Sequence, residues 1–332
     1  MDSPGSSNNL HFSTVVVGSY VHDHVWLTDR FPETGETRRA LGFSTGPGGK
    51  GFNQAVACRR QGGEVVFIGA LGDDALAQAA RAFAEQEGLD CRWQICTGTP
   101  TAAASIVVDA DGANRILVNL AANELLEVDF LQAHVASFSG ARVLLAQLEN
   151  SLDTVRAALA LGRRHGLVTL LNPAPVHADI DAGLLALCDL ITPNELEFAL
   201  LLERISGEKV DHSGLATQAD EQLHALCRRL DVGSVVITLG AAGCFVSHGA
   251  GARFEAGSHY RIPAERVRAI DTVGAGDAFN GALAAALADP EAGTFRDAVV
   301  HANRVAALST EKIGASLAMP TLSEVHDRFG AD

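Results

Sequence analysis

The strongest constraint on this chain is an alternation of short β-branched runs with amphipathic stretches of helical length. The runs "TVVVGS" (14–19), "VVFIGA" (65–70), "ARVLLAQL" (141–148), "LVTLLN" (167–172), "LITP" (190–193) and "SVVITLG" (234–240) read as buried strands, and 74–88, 151–165 and 219–230 read as helices between them. Alternation of this kind builds βαβ units, whose crossovers set the strands parallel and lay helices on both faces of the sheet. The predicted fold class is α/β, with three layers around a mainly parallel central sheet.

Two regions break the rhythm. Residues 23–46 and 99–123, the latter holding "ASIVV" (104–108) and "RILVNL" (115–120), are strand-like with no helix between them, so they are expected to form a small separate sheet, a lid. The core is then 13–22, 47–98 and 124–332, and the polar stretch 1–12 is expected to be a disordered tail. The C-terminal third turns helical, over 276–288 and 295–311, while the polar segment 203–218 reads as a surface excursion.

A formal charge of -15 with no basic cluster argues against nucleic acid or an anionic membrane as a partner. No apolar run reaches membrane-spanning length. The six cysteines (Cys58, Cys91, Cys96, Cys188, Cys227, Cys244) show no C-x-x-C spacing, which fits a reducing cytoplasm.

Two glycine-rich segments carry the chemistry. "GPGGKGFNQA" (46–55) satisfies G-x-G-x-x-G, yet the preceding "RRALGFST" holds no buried strand and no acid follows about 20 residues on, as a dinucleotide fold requires. A nucleoside triphosphate loop needs Ser or Thr after its lysine, and Gly51 follows Lys50. A plain glycine turn feeding a helix stays open on these residues alone. The second segment, "AIDTVGAGDAFNGALAAALA" (269–288), breaks from a polar turn into an alanine-rich helix. The amides of Gly274, Ala275 and Gly276 would sit at the positive end of that helix, an anion site, with Asp277 in the first turn. Asp277 also suits a simple helix cap, but a carboxylate beside an anion-binding turn is what phosphoryl transfer to a hydroxyl needs.

"DTVGAGDAFNG" and "GGKGFNQA", with "VVVGSYVHDH", "FPETGET", "FIGALGDD", "AQLE", "LNPAP", "TPNELE" and "VVITLG" in order between residues 14 and 320, resemble the signatures of the ribokinase-like (pfkB) family of carbohydrate kinases. The resemblance implies a ribokinase-like core with a β-sheet lid, and an ATP-dependent kinase acting on the primary hydroxyl of D-ribose. By the same resemblance the first glycine loop holds the sugar: Gly48 and Gly49 through their backbone, Lys50 and Asn53 as donors, Asp23 as acceptor ahead of the first lid strand, and Glu149 near the reacting end. Ala104, Ile106 and Val118 would form an apolar wall from the lid. Asn194, Thr238, Gly240, Gly276 and Asn303 would border ATP, and Glu197 would organise Mg²⁺ through water. Asp277 would be the general base, and Gly274, Ala275 and Gly276 the anion turn. Asp271, with Val273, Ser309, Lys312 and Gly314, would hold an activating monovalent cation, K⁺, and a homodimer would form through the lids.

Departures bear on the substrate. Val21 stands where the family's sugar site has asparagine, Ala318 stands where a serine completes the cation site, and Phe52, Tyr20 and His22 are expected to narrow the sugar pocket or to stack against what it holds. A related kinase acting on fructose or a nucleoside is the alternative, and a catalytically inactive sugar sensor on the same fold a remoter one.

Overall fold

The computed structural model describes residues 13–330. The expected tail, 1–12, lies outside the described residues. The chain opens with β1 (Thr14–Val17), makes two strands, β2 (Val21–Leu27) and β3 (Gly42–Gly48), and enters α1 (Lys50–Arg60). It continues through β4 (Val65–Leu71), α2 (Ala75–Gln86), β5 (Asp90–Ile95), β6 (Ala103–Val108) and β7 (Asn114–Asn119). Next come α3 (Val128–Ala133), β8 (Val143–Ala146), α4 (Leu152–Arg164), β9 (Val168–Leu171), α5 (Ala182–Leu185), β10 (Leu190–Ile191), α6 (Glu195–Ser206) and α7 (Asp220–Arg228). The last part holds β11 (Ser234–Thr238), β12 (Cys244–His248), β13 (His259–Ile262), α8 (Ala275–Ala288), α9 (Phe295–Ser309) and α10 (Leu322–Phe329).

A nine-stranded sheet has the order β13-β12-β11-β10-β9-β8-β1-β4-β5. Its pairings are parallel except at one edge, where β12 and β13 run antiparallel. Alternate strand residues feed two cores. Val16, Phe67, Leu145 and Leu170 pack with α1, α2, α8 and α9 on one face, and Val15, Ile68, Leu144 and Ile191 pack with α3 through α7 on the other. This is the three-layer α/β arrangement that the alternation predicts. Three strands went unread in the sequence: β5 has a polar face, and β12 and β13 form a hairpin that adds no helix to the alternation. The segment 203–218 is less irregular than expected, because α6 runs through Ser206 and a 3-10 turn covers His212–Thr217.

The second sheet has the order β3-β2-β6-β7. Strands β2 and β3 start at Val21 and end at Gly48, so they reach slightly beyond the 23–46 segment. Register places Asp23 opposite Gly46 and Ala104, and Ala104 opposite Val118, so these four residues form one row on one face. His22, in the next row, points to the other face.

Hydrogen bonds fasten the crossings between the sheets. Tyr20 N donates to Asn123 Oδ1 at 3.1 Å and Asn123 Nδ2 donates to the Tyr20 carbonyl at 2.8 Å. At the second crossing Asp74, the cap of α2, accepts from Thr101 N at 2.8 Å and from Thr101 Oγ1 at 2.7 Å. Among the described residues no helix is long and apolar enough to cross a membrane.

Candidate active site

The first glycine segment lets the chain press against itself. A Cβ on Gly51 would lie 2.6 Å from Gly18 Cα, and one on Gly48 would lie 2.1 Å from Asp23 Oδ2. Only a residue without a side chain lets α1 start so close to the end of β1. Phe52 N donates to the Ser19 carbonyl at 2.9 Å. Glu149 completes the joint: its Oε2 accepts from Ser19 Oγ at 2.5 Å and from Lys50 N at 2.9 Å, a carboxylate at the positive end of α1.

The second segment delivers Asp277 to the same place. Gly274 caps α8 in the left-handed region at φ 79°, which aims the first amides of the helix outward. Ala275 N donates to the Thr272 carbonyl at 3.3 Å, so of the three expected amides it is the one already engaged. Helices α1 and α8 pack closely at Gly281, where a Cβ would lie 2.3 Å from the Gln54 carbonyl. That approach sets two consecutive α1 side chains on the Asp277 carboxylate. Asn53 Nδ2 donates to Oδ2 and Gln54 Nε2 to Oδ1, each at 2.9 Å.

Charge is concentrated here. Burial pushes the Asp277 carboxyl above its ordinary range, against the pull of the Lys50 ammonium and of the Gln54 and Asn53 amides, and Glu149 adds to the rise. Burial lowers the Lys50 ammonium, but Asp277, Glu149 and Glu197 together outweigh it and leave its pKa raised. A lysine so surrounded stays charged at neutral pH.

Two cavities meet at this point. One of about 160 Å³ is lined by Lys50, Glu197, Gly274 and Asp277, and one of about 900 Å³ extends from it past Gly240, Phe279 and Asn303. Asn194, Thr238 and Gly276 line both. Asn194 and Glu197 form a reciprocal cap on α6: Asn194 N donates to Glu197 Oε2 and Glu197 N to Asn194 Oδ1, both at 2.8 Å.

The pattern described as pfkB family carbohydrate kinase matches residues 12–322. The chain belongs to the pfkB family of carbohydrate kinases. It is 36% identical over 309 residues to the ribokinase of Mus musculus, covering 93% of this chain and 92% of that one. The structure of ribokinase from Giardia lamblia superposes with a TM-score of 0.83 at 28% identity, covering 96% of this chain and 98% of that one. The structure of Arabidopsis thaliana ribokinase complexed with ribose and ATP superposes with a TM-score of 0.79 at 26% identity, over 97% of this chain and 99% of that one.

In this carbohydrate kinase the structure brings most of the expected residues together. Asp23, Gly48, Gly49, Lys50, Asn53, Glu149 and Asp277 converge where the lid sheet meets the core, but Asp23 lies within β2 and not before it. Ala104 and Ile106 pack with Val21 in a small apolar cluster under the lid, while Val118 at the far edge is 45% exposed. Asn303 Nδ2 donates to the Pro263 carbonyl at 2.8 Å, which fixes its side chain on the wall of the larger cavity. Asp271 accepts from Val273 N at 3.0 Å and Gly314 N at 2.9 Å, and Lys312 N donates to the Ser309 carbonyl at 3.3 Å, so these five residues share one loop cluster.

The expected narrowing of the pocket is corrected. Phe52 is buried edge-on between Tyr20 and Phe67, with centroids at 5.1 and 5.5 Å, because its position on α1 faces the core. His22 turns to the lid's other face, where Nδ1 meets Tyr20 Oη at 2.9 Å and Nε2 meets Thr45 Oγ1 at 2.8 Å. Neither side chain enters the sugar side. Sequence reasoning passed over Gln54 and Ser316, whose Oγ donates to Asn53 Oδ1 at 2.5 Å. The signal for Gln54 was a second amide, next to Asn53, between Phe52 and the apolar helical run "AVAC".

The Asp23 carboxylate accepts no hydrogen bond from any described residue, and burial, then Glu149 and Asp277, push its pKa up to about 7. The folded pKa is raised, so its share of stability is full below the unfolded value and is lost as pH rises through about 7. Asp23→Asn should therefore raise the melting temperature of the sugar-free protein by a few degrees at pH about 8, and the gain should shrink as pH falls and vanish at about pH 4, near the ordinary carboxyl value. Equal melting temperatures at the higher pH would show that the carboxylate is already solvated.

Proposed function

We propose that this kinase transfers the γ-phosphoryl group of ATP to the primary hydroxyl of D-ribose, giving ADP and ribose 5-phosphate. The observation that carries the reading is the buried Asp277 carboxylate, held by Asn53 and Gln54 beside Lys50, at the mouth of the α8 amides. The likeness to a relative solved with ribose and ATP supports the choice of both substrates.

On this reading Asp23 accepts hydroxyl protons of the sugar, Gly48 and Gly49 offer backbone, Lys50, Asn53 and Glu149 contact its polar edge, and Ala104, Ile106 and Val118 form the apolar wall. ATP lies in the larger cavity along Asn194, Thr238, Gly240 and Asn303, with its γ-phosphate in the smaller one. Asp277 takes the proton of the primary hydroxyl as its oxygen bonds to phosphorus and the bond to ADP breaks, while the Gly274 and Gly276 amides face the developing charge. The Glu197 carboxylate, half-turned to its cap and bordering the small cavity, suits a hydrated Mg²⁺, which when bound neutralises phosphate charge. Closing the lid excludes water, which would otherwise take the phosphoryl group. Six unpaired cysteines suit a reducing compartment, the cytoplasm.

A coupled assay should show ribose-dependent ADP release, and Asp277→Asn should lower turnover by about 10²–10⁴ while ATP still binds. Retention of more than about a tenth of turnover would remove the base role, and silence with every pentose tested would remove the sugar reading.

The Asp271 loop cluster suits a monovalent cation held largely by carbonyls, but Ala318 supplies no side-chain oxygen, and the Ser316 hydroxyl is turned to Asn53. K⁺ should therefore raise the rate only weakly. Equal rates in potassium and in a large organic cation would exclude the site.

The lid's outer face exposes Trp26 (40%), Phe43 (52%) and Leu117 (78%), which a second copy would cover in a two-fold pair of lids. A homodimer through the lid is expected in solution. A fully active monomer at micromolar concentration by light scattering would exclude it.

A further inference from the structure

Gln54 takes no part in the substrate contacts above, yet it is the most firmly held side chain at the base. It is fully buried on α1, and its Nε2 donates to Asp277 Oδ1 at 2.9 Å and to Asn172 Oδ1 at 3.0 Å. Its Oε1 accepts from Gln147 Nε2 at 2.6 Å. Asn172 Nδ2 in turn donates to the Thr192 carbonyl at 3.1 Å.

These bonds have a single polarity. The Thr192 carbonyl can only accept, so the Asn172 amide must turn its nitrogen there and its oxygen to Gln54. Gln147 supplies the proton to the Gln54 oxygen, which leaves the Gln54 nitrogen facing Asp277. The amides are thereby fixed as donors towards the carboxylate. On the opposite side Ser316 does the same for Asn53, whose nitrogen faces Asp277 Oδ2.

We propose that Gln54, locked by Gln147 and Asn172, is the positioning residue that holds the Asp277 carboxylate in one orientation and as an acceptor at both oxygens. The proposal rests on Asp277 as the general base. A rotating or protonated carboxyl would give up one of the two amide bonds, so the network favours the state that can take a proton from the sugar. The charges facing Asp277 are Lys50 from α1, which supports its ionisation, and Glu149 after β8, Glu197 on α6 and Asp23 on β2, which oppose it. With the opposing carboxylates this numerous, loss of one amide donor should be visible in the pH at which the base works.

The test is the single-turnover rate as a function of pH for Gln54→Met and Gln147→Met, with melting temperature as the fold check. Gln54→Met should slow the step by about tenfold to a hundredfold and move its acidic limb upward by about one pH unit, with sugar and ATP affinities changed by less than about threefold. Gln147→Met, which frees the Gln54 amide to rotate, should move the limb in the same direction by less. A slower rate with the limb unmoved in the variants would overturn the proposal, since packing loss alone lowers rate without moving the limb. If Gln54→Met does not fold, the limb of Gln147→Met decides alone. Asp277→Asn separates the two levels: if it stays active, the base reading fails, and if it is inactive while the limbs are unmoved, only the role of Gln54 fails.

Discussion

The contact on which the rest depends is the near-touching of two glycine-bearing helices. Gly51 lets α1 begin against the β1 backbone, and Gly281 lets α8 lie against α1, in both cases at distances that a Cβ would forbid. Without these approaches Asn53 and Gln54 would not reach Asp277, and the carboxylate would have to be buried with no donor. A buried, unpaired carboxylate is costly enough that it would take up a proton. Close packing of backbone is therefore what gives the buried Asp277 carboxyl its two amide donors.

The same reasoning accounts for Lys50. Its ammonium sits among Asp277, Glu149 and Glu197, whose combined charge outweighs the cost of its burial. The excess of negative charge there is a local imbalance that a polyanion such as a nucleotide would worsen unless its phosphate oxygens met the α8 amides and a bound cation. On the proposed reading, this is a physical reason why the α8 amides and the Glu197 carboxylate stand together around the smaller cavity.

The parallel core was legible because its strands are continuous apolar runs and its helices are amphipathic, and both patterns are local. The lid was legible for the opposite reason, as strand-like residues with no helix between them. The hairpin of β12 and β13 was not, since an antiparallel edge adds no alternation, and β5 was hidden by Asp90, Arg92 and Gln94 on its outer face. At the site, glycines and single carboxylates announce themselves by composition. Which face Phe52 takes depends on the rotation of α1 about its axis, and which face His22 takes depends on the register of β2, so both were misjudged from their neighbours along the chain. Gln54 was missed because an amide in an apolar run signals burial but names no partner. Its partners come from the residues just after β8 and β9 and from α8, which only the fold brings together.

Asp23 and Asp277 show two ways of keeping a carboxylate in a closed site. Asp277 is satisfied before any ligand arrives, by donors on a rigid helix, and that suits a group whose charge must be ready. Asp23 is carried on a lid strand and has no donor of its own, so its charge is unfavourable until hydroxyls are brought to it. On the proposed reading, the sugar would supply hydrogen bonds that the protein lacks, and the free energy released by satisfying Asp23 would be available to hold the lid down. A ligand without hydroxyls at that point would leave the carboxylate stranded and a closed lid disfavoured. On that reading, recognition of the sugar and exclusion of water are one event, linked through a single side chain on the smaller sheet.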